Sequence, residues 1–144
     1  MRKLYSTLMV LLSLTGLWYA PAAAAVVSAS DARAVQLVVR AQLEAFASDD
    51  AERAFSLAAP SIQSMFGTPE QFMSMVRSSY PVVYRPASVM FLRPRPSERV
   101  LVQPVHMTDG QGASWLAIYQ LQRQKDKSWR IAGCVLVPDS GQAI

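Results

Sequence analysis

One cysteine, Cys134, and one histidine, His106, are all that the 144 residues contain of either type. A lone cysteine excludes an internal disulfide, so the fold must rest on an apolar core. A metal centre needs several nitrogen, sulfur or carboxylate ligands. No C-x-x-C or H-E-x-x-H spacing occurs, and no metal is expected. The six glycines are dispersed. They form neither a phosphate-binding loop nor a dinucleotide fingerprint, no G-x-S-x-G elbow is present, and no cofactor is expected. Charge of one sign is also scarce. The formal net charge is +4, and without Arg2 and Lys3 it falls to 12 basic against 10 acidic residues. Arg85, Arg93, Arg95 and Arg99 cluster loosely, and "RPRP" reads as a solvated proline loop. The dense basic stripe of a nucleic-acid surface is missing, so no nucleic-acid partner is expected. There is no internal repeat and no low-complexity segment.

What is present begins with a three-part leader. Arg2 and Lys3 give a positive start, Leu4 to Tyr19 is an almost uncharged apolar run, and "APAAAA" ends at Ala25 in small residues. That is the layout of a secretory signal peptide. Residues 1–25 are read as the leader, cleaved near Ala25, and residues 26–144 as one domain. The rival is an uncleaved anchor, against which the run is short for a span of about 20 residues. With no cysteine after it, lipid modification is not expected, nor is stable membrane insertion after cleavage. The remaining chain can build a core of its own.

The first half of that chain has helical grammar. Ser30 or Asp31 can cap a helix over 31–47, in which Val35, Val38, Val39, Gln42, Leu43 and Phe46 share one face and Arg33, Arg40 and Glu44 lie mostly away from it. Asp49 followed by Glu52 is a capping-box-like start for a second helix, with Phe55 and Ala58 or Ala59 inward. Pro60 ends it and can open a short turn over "SIQSMF". Gly67 suits a helix-terminating position. Thr68 and Gln71 make a capping box with Pro69 at the first helical position, and Phe72, Met75, Val76 and Tyr80 follow at helical spacing. Pro81 stops that helix at Tyr80.

After Pro81 the period becomes two. "VVYR", "SVMFLR", "RVLVQPVHMT", "SWLAIYQLQRQ" and "SWRIAGCVLVP" read as strands, and "DGQG" and "KDK" punctuate the later ones. Helices followed by antiparallel strands argue an α+β domain, with N-terminal helices packed on a curved antiparallel sheet. If the last two hairpins have even loops, His106, Trp115, Ala117, Tyr119, Cys134 and Leu136 share one face with Val100, Val102, Pro104, Arg130 and Ala132. Leu101, Gln103, Val105, Leu116, Ile118, Gln120, Gln122, Trp129, Ile131 and Val135 take the other. An odd loop would break this pairing. Both faces are largely apolar, and a second copy of the chain is the simplest cover for the face that the helices leave open. Pro104 inside a strand marks an edge or a bulge. The tail beyond Pro138 is expected to fray.

The run "VVRAQLEAFASDDAERAFSLAAPSIQSMFGTPEQFMSMVRSSYPVVYRP", with the late "WRIAGCVLVP", resembles the exported bacterial proteins of domain-of-unknown-function family 4864. The likeness spans roughly Val38 to Pro138, and "MFGTPEQFMSMVRSSYPVVYRP" is its most specific part. The resemblance implies export to the periplasm of a Gram-negative envelope and carries no activity. The element order is also similar to the nuclear-transport-factor-2-like cone, in which helices and a bent sheet enclose a pocket. That architecture hosts enzymes, binders and dimerisation modules alike.

The residues that could line such a pocket are Tyr80, Arg85, His106, Trp115, Tyr119 and Cys134. A concave apolar site with a few polar handles is the usual form of a small-molecule site. A small apolar or amphipathic ligand, or a protein partner, is therefore the leading expectation, with homodimerisation. The plainer reading is that Trp115 and Tyr119 fill the core, Arg85 is a surface arginine and Cys134 is a buried small hydrophobe with no basic neighbour to activate it. The enzymatic alternative, implied by ketosteroid-isomerase-like members of the cone fold, would use His106 as base with Tyr119 or Tyr80 as donor. Every carboxylate of the mature chain falls at a cap, turn, loop or exposed helix position, where burial does not raise its pKa. No catalytic residue is assigned.

Overall fold

The computed structural model describes residues 26–140. The expected leader and most of the expected frayed tail lie outside the described residues. Five helices precede the main strands: α1 (Ala29–Ala47), α2 (Ala51–Ser56), α3 (Pro60–Phe66), α4 (Pro69–Ser79) and α5 (Pro81–Tyr84). Five strands follow: β1 (Ser88–Phe91), β2 (Arg95–Ser97), β3 (Val100–Thr108), β4 (Ser114–Arg123) and β5 (Trp129–Pro138). The chain is an α+β fold, helices on one side of an open, curved antiparallel sheet. Among the described residues, no helix is long and apolar enough to cross a membrane.

Each helix boundary has a local chemical cause. Ser28 caps α1 through a bond from the Asp31 N–H, two residues ahead of the expected Ser30. Asp50, not Asp49, caps α2, taking the Arg53 N–H at 3.0 Å. Pro60 opens α3, and Gly67 ends it at φ 77°, a backbone that only glycine adopts without a Cβ penalty. Thr68 caps α4 through the Gln71 N–H, with Pro69 in the first turn. The segment "VVYR", expected as a strand, forms α5 instead. Pro81 has the fixed φ that starts a helical turn, and Val82 and Val83 bury themselves in that turn. The expected stripe on α1 is buried at Val35, Val39, Gln42, Leu43 and Phe46.

The sheet runs β1-β3-β4-β5, with β2 also pairing β3. "RPRP", read as a solvated loop, contributes its Arg95 and Pro96 to β2, an exposed edge strand. An edge tolerates proline because no ladder partner waits for the missing N–H. Pro104 lies on the interior strand β3, opposite the gap between the end of β1 at Phe91↔Val105 and the start of β2 at Arg95↔Val102. Its carbonyl takes the Leu92 N–H at 3.0 Å on that side, so its absent N–H faces the break. Fully buried Gln103 braces the same break, donating to the Leu92 and Pro104 carbonyls at 2.8 Å each.

Both late hairpins have odd loops, residues 109–113 and 124–128, set by Thr108↔Ser114 and Arg123↔Trp129. The even-loop faces are therefore corrected. Leu101, Gln103, Val105 and Met107 share the helix-facing side with Leu121, Tyr119, Ala117 and Trp115, while Val100, Val102, Pro104 and His106 turn to the open side. In β5 a bulge between the Gln120 and Leu121 pairings skips one residue. Ile131 is therefore inward with Leu121, and Cys134 and Leu136 return inward opposite Tyr119 and Ala117. At the bulge the α2–α3 linker clips onto the free edge of β5: the Ala59 N–H donates to the Ile131 carbonyl at 2.7 Å and the Ile131 N–H to the Leu57 carbonyl at 2.9 Å. That clip holds α3 over the end of the sheet.

Candidate functional site

The helices do not fill the space above Tyr119 and the β5 bulge. A cavity of about 220 Å³ lies there. Helix α1 contributes Gln42 and Phe46, the linker Ala58, α3 Ile62, Met65 and Phe66, and α4 Phe72, Met75, Val76 and Tyr80, with Val83 from α5. The sheet contributes Tyr119, Ile131, Gly133 and Cys134. Phe72 sits at the centre of the aromatic wall, 6.0 Å from Phe46 and 5.6 Å from both Phe55 and Phe66, ring centre to ring centre. Met65 is 71% exposed and marks the outer rim, a flexible thioether at the boundary with water.

Four polar groups reach this wall. Gln42, buried in the α1 stripe, donates its Nε2 to the Ala54 carbonyl at 3.1 Å. Tyr80 at the end of α4 donates its hydroxyl to the Cys134 carbonyl at 3.4 Å. The Cys134 thiol is pushed up to about 12 by burial, an effect that the Tyr119 hydroxyl partly offsets. Tyr119 itself is held well above the usual phenol value, first by burial and then by Cys134. Both groups are therefore neutral at any physiological pH. The Tyr119 hydroxyl is fully buried and makes no hydrogen bond of ordinary geometry. No lysine, arginine, histidine, aspartate or glutamate stands on the wall. No group of three or more histidine, cysteine, aspartate or glutamate residues that could hold a metal occurs among the described residues.

The structure thus brings Tyr80, Tyr119 and Cys134 together around one cavity and places the other three expected pocket residues elsewhere. His106 projects from the opposite face of the sheet, with its Nε2 3.1 Å from Asp139 Oδ2. The five-residue loop 109–113 puts it there, out of phase with Tyr119. Trp115 is on the helix-facing side but at the far end of β4, where its Nε1 donates to Asp109 Oδ2 at 3.2 Å. Arg85 lies outside, bonded to the Ala47 carbonyl and to Asp49 Oδ2 at 3.1 Å. Asp49 also receives Arg77 at 2.9 Å and the Tyr84 hydroxyl, and both arginines stack on the Tyr84 ring. That cluster ties the α1–α2 corner to α4 and α5. Sequence reading passed over Ile62, Met65 and Phe66, whose three- and four-residue spacing on α3 was the available signal. Gln42 was expected on the inward stripe as part of the helix face, not as a wall residue of a cavity.

The family model described as Domain of unknown function (DUF4864) matches residues 28–144. No curated protein and no solved structure matches the chain.

Proposed function

The chain belongs to the DUF4864 family, whose description carries no activity, and we propose that it acts by binding, holding a small neutral apolar molecule in the cavity between its helices and sheet. The observation that carries this reading is the wall itself. It is built from phenylalanine, methionine and aliphatic side chains, with a few neutral polar groups and no charge. Such a lining rewards removal of apolar surface from water and gives a charged substrate nothing to pair with. Proton transfer by a His106–Tyr119 pair finds no support, because the two side chains project from opposite faces of the sheet. In this reading residues 1–25 are an export leader and the protein works in the cell envelope. The likeness to the nuclear-transport-factor-2-like cone remains architectural and lends no activity.

The test is a titration of the protein with benzene and indole, followed by the methyl resonances of Met65, Met75 and Ile62. Saturable shifts at these methyls are expected in the millimolar range or tighter. Ile62→Trp, which fills the space from its own wall, should abolish them. Unchanged methyl resonances in the unsubstituted protein would remove the binding reading.

A second reading rests on the open face of the sheet. Met90, Val135 and Val137 are exposed there, next to the half-buried Leu116 and Ile118. A contiguous apolar surface of this kind marks an association site, and we propose a second copy of the chain as its occupant.

A further inference from the structure

We infer that the molecule taken by the cavity is neutral and carries one hydrogen-bond acceptor, a carbonyl, ether or hydroxyl oxygen, which receives the proton of the Tyr119 hydroxyl. This inference rests on the binding reading above and narrows it. Tyr119 is 1% exposed and lines the cavity, and its hydroxyl meets only the Cys134 thiol, without a hydrogen bond of ordinary geometry. A buried phenol left with a thiol sulfur alone has given up its bond to water for a weak acceptor, and buried donors so poorly matched are rare in folded proteins. The other donors on the wall are engaged: Gln42 Nε2 by Ala54 and the Tyr80 hydroxyl by the Cys134 carbonyl. The remaining one, the Cys134 thiol, is a weak donor. One strong donor in an apolar chamber therefore selects for one acceptor on an otherwise apolar body.

The same wall rejects other chemistries. An anion would surrender its hydration with no cation to meet it. The phenol and thiol stay protonated, so they supply no negative charge to hold a cation. Size sets a further bound. A dry cavity of about 150 Å³ accommodates benzene, so about 220 Å³ accommodates a substituted single ring or a short branched chain.

The experiment compares three ligands of similar shape on the purified chain by titration: acetophenone, isopropylbenzene and benzoate. Acetophenone should bind about tenfold more tightly than isopropylbenzene, the worth of one neutral hydrogen bond, although the hydrocarbon is the more apolar of the two. Benzoate should not bind at the same concentrations. Tyr119→Phe should erase the preference by weakening acetophenone about tenfold while leaving isopropylbenzene unchanged. It should not lower thermal stability, since the hydroxyl it deletes makes no hydrogen bond of ordinary geometry. Equal binding of ketone and hydrocarbon, or a preference that survives Tyr119→Phe, overturns the inference and leaves the cavity a binding site. Should the variant not fold, the ketone–hydrocarbon comparison in the unsubstituted protein decides alone. Failure of all three ligands overturns the binding reading and this inference with it.

Discussion

Asp49 is the residue where local strain and long-range bonding meet. Its φ of 54° is unfavourable for a residue with a Cβ, although Asp and Asn bear it better than most. It stays there because Arg77, Arg85 and the Tyr84 hydroxyl all converge on its carboxylate. The Tyr84 and Arg77 hydrogen bonds, in that order, hold its pKa below the ordinary carboxylate value. A depressed folded pKa means stability that is present above the unfolded value, about 4, and is lost as pH falls through the lower folded value. Asp49→Asn keeps the backbone preference and removes only the charge. The variant should therefore melt below the parent at pH 7, and the gap should narrow as pH falls below the ordinary carboxylate value of about 4. A gap of constant size across that range would show that the carboxylate's charge is not what the cluster uses. The pKa of the Asp49 partner Arg77 is raised by the same bond, first of its causes, and adds no titration in this window.

At the scale of elements, helices were legible because their ends are written in single side chains. Thr68, Pro60, Pro69 and Gly67 each place a boundary by a local rule, whereas α1 starts at Ser28 rather than at the expected Ser30 or Asp31. Thr68 matters most for the cavity, since α4 presents Phe72, Met75, Val76 and Tyr80 to it. Thr68→Ala removes the bond from the Gln71 N–H and should cost about 1 kcal/mol in urea unfolding, whereas Thr68→Ser should cost nearly nothing. Equal losses in the two variants would mean that the cap bond is not the cause. Four of the five expected strands were legible as strands, "VVYR" being helical and β2 having been read as a loop, but their facing was not. Facing depends on loop parity, and parity depends on turns no pattern rule foresaw. Asp109 accepts from the N–H groups of Gln111 and Ala113 while Gly112 takes φ 83°, which closes five residues rather than four. That single residue moved His106 off the face of Tyr119. The 124–128 loop is odd as well, yet Cys134 kept its expected side because the β5 bulge absorbs one residue and restores the phase. Tyr119 and Cys134 thus met through two offsetting irregularities, neither of which alternation alone can show.

For the whole molecule, the open face of the sheet is the feature the helices leave unresolved. Strands β3, β4 and β5 are nine or ten residues long. With β1 alongside, the face spans about 20 by 30 Å, or about 600 Å² in plane. A stable interface buries about 800 Å² on each partner, so this face with its margins is of the right size for a second copy. Two-fold packing would set Val135 and Val137 of one protomer against the Leu116–Ile118 region of its partner and shield the apolar side chains that water now meets. The cavity opens on the other side of the sheet, so the dimer would leave the ligand site free. Sedimentation equilibrium of the processed chain should therefore give twice the monomer mass at tens of micromolar. Val135→Lys, which puts a charge into the middle of the contact at a site exposed in the monomer, should return the monomer mass without loss of circular dichroism. A monomer mass for the unsubstituted chain, or a dimer that Val135→Lys leaves intact, would mean that this face is not where two copies meet, while binding in the cavity would be unaffected.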